Sequence, residues 1–219
     1  MFTPTRRDLI RMAAAAVAAR SLPAWAEDLG LEAVGGQAAL GARRILESLP
    51  LASEGSGIPI WILSSSRCGY CVKMNRERPG PVAGIATHYI AYPLADAETG
   101  AVARVWRART IATYRRFMAG GLRHVPAVAM PTLTGRSRHH ASPDAGLNDT
   151  QLFEKYWAEI RMVKSLWADG NGQIRSVTPE SYLFVTPPEG AALIRLPGDG
   201  VPVLQAMLKE FPGWFRPAD

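Results

Sequence analysis

The chain has only two cysteines, Cys68 and Cys71, three positions apart, and the segments around them restrict the fold more than any other feature. Ile58-Pro59-Ile60-Trp61-Ile62-Leu63 leads up to them, an apolar run bounded by turn residues and so a buried strand. A second apolar, β-rich run covers residues 85 to 92. Between the runs there is room for one helix of two or three turns, beginning near Cys68 and stopping at Pro79-Gly80-Pro81. Strand, helix and strand within about 35 residues make a βαβ unit. The two thiols therefore fall at a strand-to-helix junction. So few cysteines exclude a disulfide-stapled miniprotein, a four-cysteine zinc site and a structural disulfide between distant segments. At 219 residues, 47% apolar and 20% charged, the chain has the composition of a globular domain rather than a disordered one.

Residues 1 to 26 are expected to be an export signal, set aside before fold reasoning. Thr5-Arg6-Arg7-Asp8-Leu9-Ile10-Arg11 looks like a twin-arginine signature, with general Sec export as the alternative. A weakly apolar run from Met12 to Ala19 follows, and Ala24-Trp25-Ala26 has the small-x-small cleavage pattern. The run is far short of the roughly 20 residues that span a bilayer. The segment holds four Arg and one Asp, so the remainder carries 21 basic and 18 acidic side chains, against 25 and 19 for the whole. Half of the net charge of +6 thus belongs to the signal, and a nucleic-acid partner is not expected. The expected location is an oxidising, extracytoplasmic compartment, the periplasm.

Residues 27 to 57 read as a short helix near Ala38 to Leu49 and a Ser/Gly-rich linker, and residues 58 to 219 as the main domain with an insertion over 100 to 170. Helical spacing in the insertion predicts one helix over 101 to 118, whose five Arg form a solvated face, and another over 151 to 167. The second has an aromatic stripe of Phe153, Tyr156 and Trp157, read as core, with N-caps in Asn148-Asp149-Thr150 and a stop at Gly170. Residues 120 to 149 read as a long loop carrying His124, His139 and His140. The chain then predicts a hairpin, Ser181 to Val185 and Ala192 to Leu196, and a helix from Val201 to Phe211, directly after Val177-Thr178-Pro179.

A Cys-x-x-Cys at a strand-to-helix junction has a mechanical rationale. The first thiol falls at the helix N-terminus, where free backbone N–H groups and the positive dipole end favour a thiolate. Arg67 adds positive charge beside it and is expected to lower its pKa further. Cys68 is thus the expected nucleophile and Cys71 the resolving thiol. A haem attachment site would need His where Val72 stands. Zinc held by Cys68, Cys71, His139 and His140 would need two adjacent histidines on a Ser/Pro loop, against the usual ligand spacing. No metal or cofactor is expected.

Cys68-Gly69-Tyr70-Cys71 resembles the active site of thioredoxin-fold thiol–disulfide interchange proteins, above all the periplasmic disulfide-isomerase branch (DsbC/DsbG-like). The likeness continues in Thr87-His88-Tyr89-Ile90-Ala91-Tyr92-Pro93, around Val105-Trp106, in Phe117-Met118-Ala119-Gly120 and from Val177-Thr178-Pro179 through the terminal hairpin and helix. The resemblance implies an α/β, thioredoxin-like fold, a central mixed sheet flanked by helices. It implies that Gly69 and Tyr70 meet the substrate, that Pro179 is cis, and that Thr178 beside the cysteines helps hold an extended substrate strand. Val125-Pro126 is the competing proline; the strand–turn–strand–helix that follows Pro179 decides for the latter.

The chain also departs from these relatives. Residues 27 to 57 are too few for the dimerisation domain that precedes the catalytic domain of resembling isomerases, so a monomer is expected. Ser64-Ser65-Ser66 stands where many relatives carry an acidic residue, leaving no proton acceptor for Cys71 in that segment. The loop over 120 to 149 has no counterpart. The expected activity is thiol–disulfide exchange with protein substrates, served by a membrane or periplasmic redox partner. The alternative from another class is a binding or assembly module of an envelope complex that needs no redox activity.

Overall fold

The computed structural model describes residues 31–129, 144–168, 173 and 179–215. The expected α/β, thioredoxin-like architecture is present: a six-stranded mixed sheet flanked by helices. In chain order the elements are β1 (Glu32–Gly35), α1 (Gly36–Ser48), β2 (Ala52–Glu54), β3 (Ile58–Ser64), α2 (Gly69–Glu77) and β4 (Ile85–Ala91). The second half contributes α3 (Thr99–Ala108), α4 (Ile111–Met118), α5 (Asp149–Ser165), β5 (Glu180–Val185), β6 (Ala192–Pro197) and α6 (Val201–Glu210).

The strands lie in the order β1-β6-β5-β3-β4-β2. β3 and β4 are parallel, with Ile58 opposite Ile85 and Ser64 opposite Ala91, as a βαβ unit requires. β5 is antiparallel to β3, with Leu63 opposite Glu180, and β6 closes a hairpin on β5. On one face, Leu63 and Tyr182 meet Leu46 and Leu49 at the end of α1 and Ile160 and Val163 of α5. On the other, Ile60 and Ser181 lie against Gly200, just before α6. The aromatic stripe of α5 is core, as expected. Phe153 stacks on Trp106 of α3 at 5.1 Å between centroids, Trp157 lies 5.1 Å from Tyr92, and the Trp106 indole donates to the Ala91 carbonyl at 3.0 Å.

Three differences from the sequence reading have physical causes. The segment over 27 to 57, read as helix and linker, also contributes the edge strands β1 and β2. They are four and three residues long and show no alternation, because their pairing with β6 and β4 rather than local pattern defines them. The single helix expected over 101 to 118 is two helices. Arg109 takes the left-handed conformation (φ 51°) and ends α3, while Thr110 caps α4 by accepting from the Thr113 amide at 3.3 Å. That unusual backbone is held by the Arg109 guanidinium, which bonds the Asp144 carboxylate and the Tyr156 hydroxyl. Within the expected 120–149 loop, residues 130–143, including His139 and His140, lie outside the described residues. The part before them packs closely: the Thr99 hydroxyl donates to the Val128 carbonyl at 2.7 Å and accepts from its amide at 2.9 Å.

Val125-Pro126 belongs to this packed segment, and Gly100 is where it meets α3. A Cβ on residue 100 would lie 1.7 Å from the Pro126 carbonyl oxygen, a clash with backbone that no rotamer relieves. Gly100→Ala is therefore expected to lower stability by about 1–3 kcal/mol, the usual cost of overpacking, as a shift of the urea unfolding midpoint.

Candidate active site

β3 ends at Ser64, and a three-residue turn, Ser65 to Arg67, carries the chain onto α2. Cys68 is the N-cap of that helix, with extended backbone (φ −85°, ψ 108°). Its amide donates to the Ser65 carbonyl at 3.2 Å, and its sulfur accepts from the Cys71 amide at 3.2 Å. The Cys68 Sγ thus does what a Ser or Asp oxygen does at other helix starts, taking one of the orphan N–H groups of the first turn. A negative charge on that sulfur is favoured by the same N–H and by the positive end of the helix.

The two thiols have unlike surroundings. Cys68 is half-buried and Cys71 fully buried. Burial pushes the Cys71 thiol far above its ordinary range, and its hydrogen bond with Cys68 raises it further. Gly69 and Tyr70 between them are exposed, Tyr70 to 57%. A Cβ at Gly69 would meet nothing, so the outer face of the motif is open. Arg67 is exposed beside Cys68, with its amide donating to the Ser65 hydroxyl at 3.1 Å. From Tyr70 a groove of about 360 Å³ runs between α2 and α6, lined by Met74, Arg78, Val82, Val201 and Gln205.

Sequence reasoning missed what holds the turn. Glu98, buried just before α3, accepts from the Ser65 hydroxyl at 2.9 Å, from the Ser66 hydroxyl at 2.6 Å and from the Leu94 amide at 2.8 Å. The three serines have no acid among them, and the carboxylate comes instead from about 30 residues downstream. A run of buried hydroxyls needs acceptors, and that was the only signal in the sequence. On the other side of the turn, the Ser64 hydroxyl is 2.5 Å from the hydroxyl of Tyr114, which is fully buried on α4.

Pro179 is buried immediately before β5, and its carbonyl accepts from the Gly198 amide at 2.8 Å. Because Leu63 pairs with Glu180, Pro179 falls level with Ser64, where β3 releases the chain toward Cys68. Ser181 completes the tie to the loop before α6: its hydroxyl donates to the Gly198 carbonyl at 2.8 Å and accepts from the Gly200 amide at 3.0 Å. The structure thus brings Arg67, Cys68, Gly69, Tyr70 and Cys71 together at the same end of the sheet as Pro179. Val177 and Thr178 lie outside the described residues. Among the described residues no group of three His, Cys, Asp or Glu side chains is placed to hold a metal ion, and no helix is long and apolar enough to cross a membrane.

No protein-family profile matches the chain, and no curated protein matches it. Among solved structures it is similar to the thiol-disulfide exchange protein alpha-DsbA2 from Wolbachia pipientis. The two share 14% identity with a TM-score of 0.41, over 78% of this chain and 92% of the other.

Three outcomes are expected from this geometry. Iodoacetamide at pH 7–9 labels Cys68 and leaves Cys71 unmodified in the folded protein, because the buried thiol stays protonated; peptide mass mapping reads this. The unfolded chain releases the same proton above about pH 8.5 while the folded one keeps it, so this thiol lowers stability as pH rises past that point. Glu98→Ala orphans buried donors at about 1–3 kcal/mol each, so its unfolding midpoint falls well below that of the parent.

Proposed function

We propose that the protein is a thiol–disulfide oxidoreductase acting on protein substrates through Cys68 and Cys71. The observation that carries this reading is the asymmetry of the pair: a half-buried sulfur capping a helix N-terminus, with a fully buried partner thiol one turn on. The first is the attacking group. The second is kept from outside reagents, yet its own amide is bonded to the sulfur it must reach.

The Cys68 thiolate attacks one sulfur of a substrate disulfide. A bond forms between Cys68 and that sulfur, the substrate S–S bond breaks, and the other substrate sulfur leaves as a thiolate that takes a proton from water. Cys71 then attacks the Cys68 sulfur, closing the Cys68–Cys71 disulfide, and the first substrate sulfur leaves and takes up the Cys71 proton as a thiol. The substrate gains two electrons and the pair loses two; a dithiol reductant returns them. Run backwards, the same steps oxidise a substrate dithiol, and the proposal covers both directions. An extended substrate strand lies across the open face of Gly69 and Tyr70 beside Pro179, and Thr178, the residue before Pro179 in sequence, has the substrate-holding role that the resemblance implies.

Within the larger group, the disulfide-isomerase branch is supported by the Cys-Gly-Tyr-Cys tetrapeptide and the Thr178-Pro179 pair. A periplasmic location, with a membrane or periplasmic redox partner, is supported by the arginine pair and small-x-small pattern of residues 1 to 26.

Turbidimetric reduction of insulin by dithiothreitol tests the reading. The parent protein should accelerate it, Cys68→Ser should abolish the acceleration, and Cys71→Ser should accumulate a mixed disulfide with substrate visible on a non-reducing gel. Acceleration that survives Cys68→Ser overturns it.

A further inference from the structure

A second cluster of charges lies inside the molecule, outside the thiol site. Glu180, the first residue of β5, is 1% exposed, and both of its carboxylate oxygens are taken. Oε2 receives the Lys164 ammonium from the last turn of α5, which is equally buried. Oε1 accepts from the Tyr182 hydroxyl at 2.6 Å and from Arg195 Nε at 2.6 Å. Arg195 carries the network outward, with Nη1 2.9 Å from a carboxylate oxygen of the exposed Glu32. Trp167 lies over Tyr182 at 5.5 Å, and Arg195 lies 6.0 Å from the Trp167 ring. Lys164 also sits 5.2 Å from the Tyr92 ring.

Paired charges in a core stabilise no better than apolar residues of the same shape, so stability alone does not account for them; holding one arrangement is their best-attested use. What Glu180 holds is set by its position. It is bonded covalently to Pro179, whose carbonyl is fixed in turn by Gly198, and it pairs with Leu63 one residue before β3 ends. With both carboxylate oxygens pinned, Glu180 has no freedom to swing, and the peptide that joins it to Pro179 is held by that side chain and by the Gly198 amide. Lys164 supplies the pin from the last turn of α5, the helix that also packs Ile160 and Val163 against Leu63.

We propose that Lys164 and Glu180 are positioning residues for the substrate strand: through their buried pair, α5 fixes Pro179 at the place where a disulfide-bearing polypeptide lies against Cys68. This rests on the oxidoreductase reading above. It separates polypeptide substrates, which need that strand of contacts, from small disulfides, which need only the Cys68 sulfur.

The test compares insulin with oxidised glutathione as substrate for the full chain, using Lys164→Met and the double variant Lys164→Met/Glu180→Gln. The double variant removes the Lys164 and Glu180 charges together and leaves Tyr182 and Arg195 an acceptor, with Arg195 still paired to Glu32, so it is expected to fold even where the single variant does not. The expected result is a KM for insulin raised at least fivefold with kcat within twofold of the parent, and an unchanged rate with glutathione. An insulin KM within twofold of the parent in the folded double variant overturns the proposal. So does an equal loss toward both substrates, the mark of a merely structural role. A parent protein inactive toward both substrates counts instead against the oxidoreductase reading itself.

Discussion

A sulfur can cap a helix only if the preceding strand lets go of the chain at one residue and turns it onto the helix axis, and the carboxylate of Glu98 enforces that turn. Three donors from the turn and its neighbour converge on it, from Ser65, Ser66 and Leu94. Two of them are the hydroxyls of side chains that would otherwise be drawn to water. A hydrogen bond to a charged acceptor is stronger than one between neutral groups, and inside the protein it has no solvent competitor. The Cys68 amide bond to Ser65, the sulfur cap and the depth of Cys71 all follow from where this anchor leaves the chain.

The sheet supplies a second anchor with a different chemistry. At Glu98 one charge is satisfied by neutral donors; at Glu180 two cations and a phenol surround one carboxylate. Removing one partner of a buried ion pair costs about 3–5 kcal/mol, whereas replacing the whole pair with matched apolar groups is often neutral. Sequence change at this site is therefore constrained in pairs rather than residue by residue. One anchor holds the turn that follows Ser64, and the other stands at the first residue of β5, opposite Leu63.

The legible parts of the fold were those whose burial is written in local order. β3, β4, β5 and β6 are apolar runs between turn residues, and α2, α5 and α6 have a period or a cap, such as the Asn148–Gln151 capping box that starts α5. The thiol pair was legible because strand, turn and helix N-terminus are adjacent in the chain. What escaped notice depends on partners far away in sequence. β1 exists because β6 pairs with it, the break at Arg109 exists because Asp144 and Tyr156 hold it, and Glu98 matters because two serines some 32 residues earlier need it. Thr178, given by resemblance alone, has no geometry among the described residues to set beside Pro179.

The strand order has a consequence for the growing chain. β3, at the centre of the sheet, finds β4 soon after it is made, but its other neighbour, β5, begins only at Glu180. Until then the sheet is β2, β4 and β3 with the apolar edge of β3 open, and β1 must wait longer still for β6, with Glu32 and Arg195 meeting across 163 positions. Pairings of such long range are slow, and uncovered strand edges invite association with other chains. A ribosome that stalls before residue 180 leaves a fragment with its thiols in place and half of its sheet missing, a target for chaperones rather than a small working enzyme.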